Sequence, residues 1–247
     1  MKICLIPLKI EIRNPSVNLL HLQTRLAEMS LYQPDLICLP ECAFTGYLYK
    51  TQDFERFAEP VPGKTTAMVS RIAQEYKCYI CFGLLEKGQA GVYSSAVLLA
   101  PSGQVVHVHR KIIERPPFAV GDQVRTVDTE FGKISVLLCG DLFHDEVKAK
   151  ISKEIAFFIL PLSRSFDGKS PDIDRWQREE RQAYLDEIRK IGKTSLVVNS
   201  LEDANQPEAS FGGAMVVSSD GVVLAEAEHG TDQILLYELE SNHSKSR

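Results

Sequence analysis

Ala96-Val-Leu-Leu-Ala-Pro-Ser-Gly-Gln-Val-Val106 and Ala214-Met-Val-Val-Ser-Ser-Asp-Gly-Val-Val-Leu224 share one shape. Each is an apolar run, a turn of small polar residues with a glycine, and a second apolar run, which is a β-hairpin pattern. Ahead of each hairpin, matched segments recur in the same order. Cys78–Leu85 and Ser195–Leu201 read as strands, and Thr65–Tyr76 and roughly Ile173–Ile191 read as helices. Further back, Leu36-Ile-Cys-Leu-Pro40 parallels Phe157-Phe-Ile-Leu-Pro161, and Lys2–Leu8 parallels Lys133–Cys139. A repeat of this kind constrains the fold more than any single propensity. Each half reads strand, helix, strand, helix, strand, hairpin. The early strands are continuous apolar runs, so both faces of their sheets should be covered. Helices can cover one face, and the other half of the chain can cover the second. The expected fold is therefore α/β, a four-layer α-β-β-α sandwich of two similar halves. No Pro/Gly/Ser-rich linker divides the halves near position 125. Residues 1–247 accordingly read as one composite domain rather than two doubly wound ones, with a polar tail from about 241.

Composition narrows the function classes. A net charge of −5 gives no electrostatic footprint for nucleic acid or an anionic membrane. No apolar run is long enough to span a bilayer, and Met1–Pro7 is too short and too soon punctuated for a signal peptide. The six cysteines lie mostly inside apolar runs without the spacing of a disulfide framework, which favours a reducing cytoplasm. Cys78 and Cys81 sit in a strand pattern where residues three apart point to opposite faces, against a redox pair. His107 and His109 share a strand face but lack a third metal ligand at useful spacing, and a solvated hairpin face accounts for them more economically. Trp176, the one tryptophan, suits either a pocket wall or packing against a helix. Neither a metal nor an organic cofactor is expected.

Three reactive side chains fall where strands end. Cys139 closes Lys133-Ile-Ser-Val-Leu-Leu-Cys139, and Asp141–Lys150 could open a helix whose dipole would favour a thiolate. A buried core cysteine fits the same position. Glu41 follows the buried run Leu36–Pro40, where lost solvation would raise its pKa and suit it to proton transfer. A loop carboxylate reaching solvent is the other reading. Its counterpart in the second half is Leu162, so the repeat itself does not demand an acid there. Lys111 follows Gln104–Arg110 and suits either an oxyanion-binding cation at a cleft rim or a surface charge. Glu114 carries the same ambiguity.

Taken in order, several motifs resemble the nitrilase (carbon–nitrogen hydrolase) superfamily. Leu39-Pro-Glu41 through Thr45-Gly-Tyr47 is similar to the segment bearing its acid/base glutamate. Tyr93-Ser-Ser-Ala-Val97 through His109-Arg-Lys111 resembles the approach to its lysine. Cys139-Gly-Asp-Leu142 resembles its nucleophile elbow, and Phe211-Gly-Gly-Ala-Met215 its C-terminal hairpin. The similarity runs from the first strand to about Ala227. It implies the same four-layer sandwich and a catalytic triad of Glu41, Lys111 and Cys139. It further implies Glu114, just before Phe118-Ala-Val-Gly-Asp122, as a second glutamate, with Gly140, Tyr47, Leu162 and Ser163 in supporting or substrate-binding roles. By this resemblance the chemistry is hydrolysis of a small amide through a thioester on Cys139. Lys111 and the Gly140 N–H would hold the oxyanion, and a homodimer or higher homo-oligomer would be the assembly. A nitrile hydrolase, or a binding or scaffold member of the same fold, are the alternatives. Departures cluster after the nucleophile. The family's usual aromatic and arginine are replaced in Gly140-Asp-Leu-Phe-His-Asp-Glu146, although Glu146 is kept. Glu187-Ile-Arg-Lys-Ile191 replaces a common run on the last helix, and the connection from Lys111 to Cys139 is short.

Overall fold

The structure is a computed structural model and describes residues 1–29, 31–165, 172–206 and 209–240. The polar tail expected from about 241 lies outside the described residues. Two six-stranded sheets carry the fold. The first half supplies β1 (Lys2–Leu5), β2 (Leu36–Cys38), β3 (Tyr79–Gly88), β4 (Gly91–Leu99), β5 (Val105–Arg110) and β6 (Val127–Thr129). The second supplies β7 (Gly132–Val136), β8 (Phe157–Leu162), β9 (Thr194–Asn199), β10 (Ala214–Val217), β11 (Val223–Glu226) and β12 (Leu235–Glu238). The sheet orders are β12-β1-β2-β3-β4-β5 and β11-β10-β9-β8-β7-β6.

The repeat survives in the register. β1, β2 and β3 are parallel and β3, β4 and β5 antiparallel, and β7 to β11 repeat this pattern. Even the irregularities match: β4 slips against β5 between Leu98 and Leu99, and β10 against β11 between Val216 and Val217. The sequence repeat did not foresee a reciprocal exchange of edge strands. β6, which ends the first half, pairs with β7 of the second. β12, which ends the second half, pairs with β1 of the first.

Alternation along the strands sets the layers. Cys4, Ile37, Ile80, Phe82 and Val97 face outward onto α1 (Pro15–Glu28) and α2 (Lys64–Tyr76). Ile3, Leu5, Cys38, Cys81 and Leu98 face inward, packed against Val136, Ile159, Leu196 and Val216 of the other sheet. The far side of that sheet, with Phe158, Leu160 and Val197, is covered by Tyr184, Leu185 and Ile188 of a helix over Arg181–Ile191. That is the expected α-β-β-α order. Local signals set the helix ends. Asn14 caps α1 by accepting from the Val17 N–H, with Pro15 at the first helical position. The last helix stops at Gly192, whose φ of 63° leaves the right-handed region. Its first turns, Ile173–Arg175 and a π-type turn over Trp176–Glu180, run continuously into it. Cys78 and Cys81 lie in different layers, as the strand period requires, and both are unbridged. Among the described residues, no helix is long and apolar enough to cross a membrane.

Candidate active site

Glu41 lies in the turn beyond β2 with no solvent exposure. Its N–H donates to the Leu162 carbonyl oxygen at 3.2 Å, so Leu162 reaches the site through its main chain. The turn leans onto β3: the Gly83 N–H donates to the Pro40 oxygen, and the Ala43 N–H to the Gly83 oxygen. A Cβ at Gly83 would lie 2.5 Å from the Cys42 nitrogen and 2.6 Å from the Glu41 Cα, so only glycine permits the approach. Ser94 Oγ donates to Glu41 Oε1 at 2.7 Å, while Oε2 is buried without a hydrogen-bond partner. Burial raises the Glu41 carboxyl above its ordinary value, partly offset by Lys111 and Ser94, as its place after an apolar strand foretold.

Lys111 leaves the end of β5 into this buried region. Its Nζ is 3.2 Å from Glu41 Oε1, 2.8 Å from Glu114 Oε2 and 3.1 Å from the Tyr47 hydroxyl. Tyr47 in turn bonds Glu114. Burial opposes the ammonium charge, but Glu41, Tyr47, Cys139 and Glu114 outweigh it and hold the lysine well above its usual value. It is a fixed cation, and the surface reading of Lys111 and Glu114 is excluded.

Cys139 starts a 3-10 turn, Cys139–Phe143, at φ +41°, a conformation uncommon for a side-chain-bearing residue. The Ser163 main chain and the Tyr184 hydroxyl both act on its sulfur. Here the expectation of a dipole-favoured thiolate fails. The turn is short and gives way to a four-residue helix, Asp145–Lys148, so little macrodipole faces the sulfur. Burial raises the thiol instead, with Lys111 pulling it back and Glu41 pushing it further up. The resting group is a thiol, on whose titration Lys111 and Glu41 act in opposite senses.

A cavity of about 340 Å³ opens on Cys139 and Gly140. Phe143 and Tyr184 form an aromatic wall, and Arg164 and Glu180 a charged one. Arg164 Nε and Nη2 meet the Glu180 carboxylate at 2.9 and 3.0 Å. A Cβ at Gly140 would meet nothing within 4 Å, so the absent aromatic leaves open space. Ser163 also reaches Ser210 and Ser200 through its hydroxyl. Ser94, Arg164 and Tyr184 were missed from the sequence. For Arg164 a signal existed: it stands two residues past Leu162, the counterpart of Glu41.

A further sequence reading needs correction. His107 and His109 do not face solvent; both are buried. Burial pushes His107 down to about 4, and His109 Nε2 lies 2.8 Å from Asp141 Oδ2. Of the two readings left open for Trp176, packing holds: it lies against Tyr184, Phe211 and His229 and is not among the residues lining the cavity. Among the described residues, no group of three or more His, Cys, Asp or Glu is placed to hold a metal ion.

The sequence profile of the family described as Carbon-nitrogen hydrolase matches residues 5–246. The chain belongs to this family. It is 26% identical over 239 residues to omega-amidase NIT2 of Mus musculus, covering 90% of this chain and 82% of that one. The fold is shared with a carbon-nitrogen hydrolase from Helicobacter pylori G27, at a TM-score of 0.80 and 19% identity over 96% of this chain and 88% of that one. It is also shared with an amidase mutant from Nesterenkonia sp. AN1, at a TM-score of 0.76 and 18% identity over 97% and 93%. That structure carries acrylamide added to its active-site cysteine.

Proposed function

We propose that this carbon-nitrogen hydrolase cleaves the C–N bond of a small amide through a thioester on Cys139. The observation that carries the reading is the buried Glu41–Lys111 pair beside the thiol, with one carboxylate oxygen left unpartnered. Glu41 takes the thiol proton as sulfur bonds to the carbonyl carbon. Negative charge then develops on the carbonyl oxygen, where Lys111 and the Gly140 N–H stabilise it. Protonated Glu41 passes its proton to nitrogen, the C–N bond breaks, and ammonia or an amine leaves. Water next gives a proton to Glu41 as its oxygen bonds to the acyl carbon. The C–S bond breaks, and the sulfur regains the proton. Glu114 and Tyr47 hold Lys111 in place, and the Ser163 main chain and Tyr184 steady the sulfur.

The amidase relatives support an amide over a nitrile. Arg164, fixed by Glu180 at the cavity wall, favours an amide that also bears a carboxylate. The test is ammonia release across neutral amides, carboxylate-bearing amides, carbamoyl amino acids and nitriles. Cys139→Ala should lose roughly 10⁴-fold or more in turnover on every active substrate. Turnover by that variant, or by the wild-type chain on nitriles alone, would overturn the assignment.

A further inference from the structure

Asp141 lies two residues after the nucleophile and has no exposure at all. It belongs to the second half, yet three of the four hydrogen bonds its carboxylate makes go to the first. Oδ1 accepts from the Ile112 N–H at 3.0 Å and the Ile113 N–H at 2.8 Å. Oδ2 lies 2.8 Å from His109 Nε2 and 3.4 Å from the Leu138 nitrogen. One carboxylate thus grips the chain on both sides of Lys111 and, through Leu138, the residue just before Cys139. Its own N–H donates to the Leu138 oxygen at 2.9 Å, closing the turn that holds Cys139 at positive φ.

The geometry points to Asp141 and His109 as a positioning pair that fixes the distance between Lys111 and the Cys139 sulfur. The inference rests on the proposed triad for its consequence in turnover, but the clasp itself is a property of the fold. A simpler role, satisfying the two main-chain donors after β5, would need only Oδ1. Oδ2 serves the link to His109, and that link ties the two sheets. The geometry also dictates the histidine tautomer. Nε2 must carry the proton to donate to the carboxylate, which leaves Nδ1 buried and unpartnered. Asp141→Asn would keep an acceptor for Ile112 and Ile113 but turn an NH₂ towards His109. Nε2 would then have to accept, stranding an N–H at Nδ1 without a partner.

The test uses the full chain with Asp141→Asn, His109→Leu and His109→Gln, the last retaining an N–H donor. Turnover is measured together with iodoacetamide labelling of Cys139 against pH, read at its own peptide by mass spectrometry. The sulfur faces Glu41 and Lys111 from the first half and Arg164 and Tyr184 from the second. Loosening Lys111 should move the labelling midpoint to higher pH, whereas deleting the Asp141 charge alone would move it lower. Asp141→Asn and His109→Leu should lower kcat about 10- to 100-fold with KM within about 3-fold, while His109→Gln recovers most of the loss. Should Asp141→Asn fail to fold, the His109 pair decides alone. Folded variants with kcat within about twofold of wild type and an unmoved or lowered midpoint would overturn the pair. If wild type turns over no amide, the triad fails, and the labelling midpoint still decides the clasp.

Discussion

The two halves share one frame and differ in what they load onto it. Strand pairing aligns Ile3 with Leu36 in one sheet and Ile134 with Phe157 in the other, which makes Leu8 the counterpart of Cys139 and Leu162 that of Glu41. The matched slips in β4–β5 and β10–β11 place Lys111 opposite His229 in the same sense. The first half therefore carries the acid and the cation but an aliphatic at the proposed nucleophile position. The second carries the thiol but an aliphatic where the acid would stand. Glu41 and its counterpart Leu162 meet main chain to main chain, so the reactive set converges where the two repeats touch. The repeat supplies the scaffold; in the proposed mechanism a few side chains at strand ends supply the chemistry, and neither half holds the complete set.

The sharpest way to break this comparison is at Cys139 and Leu8. Cys139→Ala should remove turnover while leaving thermal unfolding within a few degrees of wild type, since one sulfur at a cavity wall is lost. Leu8→Ala empties a buried core position and should cost about 2–5 kcal/mol in denaturant unfolding, with activity per folded molecule retained. Equal effects on activity would mean the halves are not chemically distinct.

Gly83 offers a second contrast, because its counterpart by register is Val198. The second half tolerates a branched side chain where the first cannot, since the Glu41 turn presses on β3. Gly83→Ala should cost about 1–3 kcal/mol and lower kcat about tenfold or more by displacing the base. Unfolding curves and kcat measured together would check it; lost stability with untouched kcat would detach Gly83 from Glu41.

The pH response of activity follows from Glu41. In the proposed mechanism Glu41 must be free to accept a proton, so kcat/KM should fall as pH drops through its raised pKa. The acid limb should therefore lie above the ordinary carboxylate range, and a limb at or below that range would remove Glu41 as the base.

The smallest effect compares buried titrating groups in the two halves. His107 falls from 6.5 to about 4, so its neutral form contributes stability above the unfolded value that is lost as pH drops through that window. Glu202, raised from 4.5 to about 6, acts oppositely: the folded state binds the extra proton, and stability declines as pH rises across that interval. Glu202→Gln should gain up to about 2 kcal/mol near pH 7.5 and almost nothing near pH 4.5 in denaturant titrations. A gain of the same size at both pH values would show that Glu202 is not ionising against its burial.

Much of this was legible in the chain. Hairpin 96–106 and its echo at 214–224 gave the layers, because apolar periodicity is local and duplicated. Glu41 and Cys139 were legible as strand ends, and the family motifs singled them out together with Lys111. The edge-strand exchange was hidden, since Val127–Thr129 and Leu235–Glu238 are short and their partners lie in the opposite half. His109 looked like half of a solvated face because its cover, Asp141, comes from across the sandwich. The thiolate expectation weighed a helix dipole without knowing how far its surroundings desolvate a sulfur that is only partly exposed at the cavity wall. Arg164 and Tyr184 meet the cavity only in three dimensions, from a strand end and a helix face whose relative placement no local pattern encodes.

The central claim is that Cys139 of one half is acylated with the help of Glu41 from the other. Acid-quenched mass spectrometry of the chain during turnover of its best amide tests this directly. The account predicts an acyl adduct confined to the Cys139 peptide in wild type and strongly reduced in Glu41→Gln. Steady product formation without an adduct, or an adduct on another residue, would contradict it.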